Sequence, residues 1–191
     1  MLFLGSQYIA GNIAPYILTY FHNKGQTGLT EASTFYILPL TIIVGVMFFP
    51  VGGRLARTYK PRTLILCIAP IGLTGIFISS FIQNYWAWLA VFGGSCGVNI
   101  GCLYIVPVQV AWVYFPKRVG LAGGIVISGF GFGAFFFNFI STAIANPKNL
   151  KPENGLYPKE VGENVPIMIQ SCAGLWAIMA LISSFLINEK T

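Results

Sequence analysis

Six side chains in this 191-residue sequence join a hydrogen-bonding group to a strongly apolar neighbourhood: Tyr8, Asn12, Tyr16, Asn99, Tyr104 and Gln109. Phenols and amides donate and accept hydrogen bonds yet carry no charge near neutral pH, so they can orient a bound molecule without attacking it. That is the chemistry of recognition. Tyr8, Asn12 and Tyr16 recur at four-residue spacing, which sets them on roughly one face of a helix, with Gln7 beside them. In hydrocarbon such groups turn toward the protein interior or a wet cavity, so they are candidates for lining a lumen. The alternative for each is a hydrogen bond from helix to helix.

The parts needed for bond-breaking are missing from the pattern. The one histidine, His22, falls in a short polar connection without metal-like companions. No pair of acids, metal cluster or nucleophile with a base can be set inside an apolar run, so neither an enzyme nor a metal or other cofactor is expected. Gly129, Gly131 and Gly133 have the spacing of a phosphate loop, but they lie inside an apolar helix and not after a strand. The four cysteines, Cys67, Cys96, Cys102 and Cys172, all fall in apolar runs and read as small packing residues.

The elements that would hold these side chains follow from composition. Hydrophobic residues make up 55% of the chain and charged residues only 8%, against about 25% charged in a soluble domain. The stretch 112–145 shows why: the adjacent cations Lys117 and Arg118 are followed by an uncharged, glycine-rich run. In water that run would make a poor helix, whereas in hydrocarbon a helix is required to satisfy its backbone groups. At about 20 residues per span the chain has room for six, placed near 2–20, 35–53, 63–82, 85–114, 119–145 and 167–187. Pro107 offers a bend in the long fourth span. The segment 146–166, rich in proline and glycine, argues against regular structure. Fold class is therefore an all-α, multi-pass membrane protein with the lipid bilayer as its solvent.

Charge sets the orientation. The net +6 does not form the broad basic face that nucleic acid needs. Arg54, Arg57, Lys60 and Arg62 follow the second span after Gly53, and Lys117 and Arg118 precede the fifth. With Lys190 they put seven cations against Glu189 on one side. The other side carries Lys24, Lys148, Lys151 and Lys159 against Glu31, Glu153, Glu160 and Glu163. The positive-inside rule makes the first side cytoplasmic and, with six spans, puts both termini there. Gly93, Gly97 and Gly101 recur every four residues along the fourth span, and Gly120, Gly124 and Ser128, then Gly129 and Gly133, along the fifth. Both read as small-residue faces for close helix packing.

The run WVYFPKRVGLAGGIVISGFGFGA at 112–134 resembles the W-F-P-x-x-R-G-x-A-x-G motif, leading into a glycine-rich fifth helix, of the oxalate/formate antiporter group. That group and its monocarboxylate-transporter relatives belong to the major facilitator superfamily. GCLYIVP at 101–107 and GNIAPYI at 11–17 are similar to the group's fourth and first helices, and the likeness extends over essentially the whole chain. Gly53, Leu55 and Ala56 match the superfamily motif G-x-L-A-D-R-x-G-R-R, and Arg62 falls on its final basic position. Arg57 stands where the family has aspartate and Lys60 where it has glycine. An arginine cannot accept the hydrogen bonds through which that aspartate is implied to latch one conformation.

The resemblance implies one six-helix half of a transporter that works by alternating access on a small organic anion, a mono- or dicarboxylate, with antiport as one mode. Tyr104 resembles a cavity tyrosine of the group. The cations that hold the carboxylates belong, by the same resemblance, to a C-terminal six-helix half that this sequence does not contain. Rival expectations are a carrier of sugars, nucleosides or drugs, and a membrane assembly protein whose glycine faces serve only association.

Overall fold

The computed structural model describes residues 1–153 and 155–187. Glu189 and Lys190, which enter the charge count, lie outside the described residues. The described chain is helical throughout; outside the helices it makes one isolated bridge, between Glu153 and Leu156. Five helical stretches are long and apolar enough to cross a membrane: Glu31–Thr58, Pro61–Ser79, Tyr85–Tyr114, Pro116–Ala145 and Lys159–Leu186.

A sixth apolar segment precedes them and is broken. It consists of α1 (Leu2–Gly5), a 3₁₀ turn (Ser6–Tyr8) and α2 (Ala10–Asn23). The break has a local cause. The Ser6 hydroxyl donates to the Phe3 carbonyl at 2.6 Å, one turn back, which favours the tighter winding. The backbone at Gly5 also approaches the Phe130 carbonyl so closely that a Cβ has no room.

A short helix, α3 (Glu31–Thr34), opens with reciprocal bonds between Thr30 and Ser33 and leads into α4 (Ile37–Thr58). Gly52 and Gly53 do not stop α4, so Arg54 and Arg57 ride on its last turns. Pro61 stops it, because a residue before proline is pushed out of the helical region, and Lys60 adopts φ −64°, ψ 138°. Pro61 then starts α5 (Pro61–Ser79), where its missing N–H costs nothing. The side-chain oxygen of Asn84 accepts from the Ala87 amide at 3.1 Å and caps α6 (Tyr85–Leu103), which continues after Tyr104 as α7 (Ile105–Tyr114). Pro107 has no amide proton for the Leu103 carbonyl, so the ladder loses one bond there, while Tyr104 keeps a helical backbone (φ −57°, ψ −44°) and its amide still donates to the Ile100 carbonyl.

After a 3₁₀ turn at Pro116–Arg118 comes α8 (Val119–Ala145). The connection that follows is more ordered than its prolines suggest. Asn146 donates to the Leu150 carbonyl and accepts from the Leu150 amide, at 2.9 and 2.8 Å, and α9 (Lys159–Glu163) forms within the segment. The last helix is α10 (Val165–Leu186).

Two close helix contacts organise the bundle. A Cβ on Gly97 of α6 would sit 2.6 Å from the Val44 Cβ of α4, and one on Gly101 would sit 2.5 Å from the Gly45 carbonyl. Gly133 of α8 meets the Leu2 carbonyl and Ser6 amide of the first segment. So the second apolar segment packs on the fourth, and the fifth on the first, which is the pairing an internal three-plus-three repeat produces. The small-residue face of α6 is used throughout, with Gly93 against Leu40 at 3.2 Å. That of α8 divides. Gly129 touches Met1 and Gly133 packs, but Gly120 and Gly124 have no neighbour within 4 Å among the described residues, and Ser128 is exposed.

Candidate functional site

The break in the first apolar segment brings Tyr8 to the partner that Tyr104 of the fourth also meets. The Phe130 ring of α8 lies edge-on to Tyr8 with centroids 5.1 Å apart, and to Tyr104 at 5.7 Å. Phe49 of α4 closes the group, 5.8 Å from Tyr104. Four separate segments thus supply one aromatic cluster, and every member keeps part of its surface exposed. Edge-to-face packing fixes the rings while leaving the two phenol groups as its polar features.

Asn12 is also partly exposed. Its Nδ2 lies 2.9 Å from Thr142 Oγ1, 3.2 Å from Ser141 Oγ and 3.1 Å from the Asn138 carbonyl, all on α8. An amide nitrogen has two protons, so three acceptors share them. The arrangement ties α2 to α8 and leaves the Asn12 carbonyl oxygen as an acceptor.

The other sequence candidates go elsewhere. Tyr16 is buried beneath the connection after α8, its ring 4.9 Å from that of Tyr157. Asn99 is fully buried against Gly72 of α5, and neither amide atom has a partner among the described residues. Gln109 lines a cavity of about 310 Å³ at the basic end of the bundle, with Arg57, Tyr59, Lys60 and Val113. Gln7 is buried with its amide likewise unpartnered. Two members of the cluster, Phe49 and Phe130, had no sequence signal, being two of 16 phenylalanines. Asn138, an amide in the middle of an apolar run, did have one.

No described Asp, Glu, Lys, Arg or His side chain reaches the aromatic cluster from the middle of a span. The cations Arg54, Arg57, Lys60, Arg62, Lys117 and Arg118 are exposed at one end of the bundle, and a Cβ on Gly53 beside them would meet no other element within 4 Å among the described residues. The described acids lie in connections at the other end, where Lys148 pairs with Glu160 at 2.6 Å and Lys159 with Glu163 at 3.6 Å. The cluster can therefore donate and accept hydrogen bonds and offer ring faces, but supplies no charge.

Comparison with known proteins follows the same lines. The chain is 31% identical over 115 residues to the apicoplast pyruvate carrier 1 of Toxoplasma gondii, a match covering 60% of this chain and 21% of that protein. It is 29% identical over 140 residues to monocarboxylate transporter 14 of Mus musculus, covering 73% and 26%. It is 28% identical over 108 residues to the fujikurins efflux protein of Gibberella fujikuroi, covering 56% and 22%. The matches thus span about a quarter of the length of these relatives. The family model of the Major Facilitator Superfamily matches residues 1–188, and with its all-helical membrane architecture the chain belongs to that superfamily.

Proposed function

We propose that this chain forms one six-helix half of a transporter of small monocarboxylates, with the Tyr8–Tyr104–Phe130 cluster as its share of the substrate site. The observation that carries this reading is the convergence of two phenols, one from a broken span, on one partly exposed aromatic cluster. Secondary transporters typically hold their cargo between their structural repeats, often at discontinuous helices. Tyr8 and Tyr104 would donate to the carboxylate, Asn12 would offer its carbonyl oxygen to a hydroxyl or amide proton, and the rings would pack on the apolar end of the substrate. Tyr16, Asn99 and Gln109 would act through packing or through the basic end.

The neutralising cations would come from a second, C-terminal six-helix half. The poor coverage of α4 and α8, the least buried of the five spanning stretches, supports such a partner. Gly120, Gly124 and Ser128 would then pack on that half, and the two halves would rock about the shared site. The cation-rich end would face the cytoplasm by the positive-inside rule.

The names of two relatives, a pyruvate carrier and a monocarboxylate transporter, support this substrate class over others. The efflux protein among the relatives keeps a second reading, export of a larger organic product, in view. Reconstitution of the full protein in liposomes separates them. Uptake of labelled pyruvate or lactate above that of empty vesicles, competed by unlabelled monocarboxylates and not by sugars or nucleosides, is expected. Uptake equal to that of empty vesicles overturns the proposal.

A further inference from the structure

A groove on the outer side of the bundle is distinct from the aromatic cluster. It lies between α5 and α10 and encloses about 400 Å³. Its floor is made of small residues, Ala69 on one helix and Ala173, Gly174 and Ala177 on the other, with larger apolar side chains such as Leu66 and Leu181 as rims. Among the described residues, no other element lies within 4 Å of the position a Gly174 side chain would take. The groove is shaped to receive a chain and not merely to pack two helices.

Its two ends differ chemically. At one end the Gln170 amide donates to Ser80 Oγ at 3.0 Å and closes the groove between the helices. At the other, the next turn beyond Ile65 and Leu181 carries Arg62, whose guanidinium stands 5.1 Å from the centroid of the Phe185 ring. A cation held over an exposed ring is fixed in place while its hydrogen-bonding edges stay available. From Ile65 to Phe77 the groove runs about 18 Å at 1.5 Å per residue. One leaflet of a bilayer supplies about 15 Å of hydrocarbon, half of a core of about 30 Å.

From this match we infer that the α5–α10 groove binds an anionic glycerophospholipid, with its phosphate against Arg62 and one acyl chain along the alanine floor. A planar guanidinium recognises phosphate with two parallel hydrogen bonds, and an apolar slot of leaflet depth accepts one tail. A transmembrane helix of a partner protein would also cover an apolar face, but it would bring no full anionic charge to Arg62 and its length would run past the Gln170–Ser80 closure. The site is independent of the proposed cargo and of the second half.

Native mass spectrometry of the full protein, released from nanodiscs of equal phosphatidylglycerol and phosphatidylcholine, tests this. The wild type should retain one phosphatidylglycerol at least about fivefold over phosphatidylcholine. Arg62→Gln should abolish the headgroup preference, Arg62→Lys should keep part of it, and Gly174→Leu should lower retention of both lipids. Circular dichroism of each variant confirms its fold, and the arginine pair alone decides the headgroup contact should Gly174→Leu misfold. Enrichment that survives Arg62→Gln overturns the inference. So does a crosslink from Leu181→Cys to a second polypeptide in native membranes, which would put a protein helix in the groove.

Discussion

Tyr104 lies one turn before Pro107, and its ring meets Phe130 and Phe49 there. Its phenol is the group expected to meet a carboxylate, and a hydrogen bond to a charged partner is worth about 1.5–3 kcal/mol. Tyr104→Phe in the full protein should therefore weaken monocarboxylate binding by about tenfold to a hundredfold, read as a rise in half-saturation in a liposome uptake assay. Asn12→Leu should act differently, because that amide ties α2 to α8. Losing an interhelical bond of about 0.6–2 kcal/mol should lower the unfolding free energy in detergent by that amount. Tyr8 and Asn12 were legible because a polar group inside an apolar run has few places to go. The fates of Tyr16, Asn99 and Gln109 were not, since spacing fixes a residue's phase on its own helix and says nothing of how the helix is turned against its neighbours. Phe49 and Phe130 carry no polar mark at all; only the assembled bundle separates them from the other phenylalanines.

At the level of elements, glycine spacing identified α6 as a close-packed helix, and the α4–α6 contact uses Gly93, Gly97 and Gly101 on one face. Gly97→Leu would drive a side chain into Val44 and the Thr41 carbonyl. It should destabilise the bundle by about 1–3 kcal/mol or more, seen as a lower thermal midpoint. The same periodicity on α8 could not show that its two ends have different surroundings. The broken first segment was hidden for a related reason: the carbonyl of Phe130 that crowds Gly5 is 125 residues away in sequence. The connection after α8 hid its order too, because its anchors are tertiary: the Tyr157 amide donates to Thr19 Oγ1 at 3.0 Å. Burial, with Tyr16 adjoining, raises the Tyr157 phenol above its ordinary 10. A raised value favours the protonated form in the folded state, so this contribution is complete below pH 10 and is lost as pH climbs through the folded value. Thermal midpoints between about pH 9 and 11 should fall more steeply for the wild type than for Tyr157→Phe.

For the whole molecule, the hydrophobicity of the segments and the motif around Trp112 already point to the superfamily, and the match over residues 1–188 establishes it. Cargo was not legible, because the chain contributes donors and ring faces to the proposed site but no charge. A wall without a charge is what one half of an anion carrier would present, and its partly exposed face is the central claim. Cysteine accessibility reads that face directly. With Cys67, Cys96, Cys102 and Cys172 replaced by alanine, single cysteines replacing Tyr8, Phe49 or Phe130 in the full protein are treated in native membranes with a charged, membrane-impermeant thiol reagent. Ile71→Cys, on the outer face of α5, serves as the control. The account predicts that the three cluster positions react, that lactate or pyruvate slows their reaction, and that Ile71→Cys reacts at neither rate. Cluster cysteines that stay unreactive, or whose reaction is indifferent to monocarboxylates while uptake persists, would contradict it.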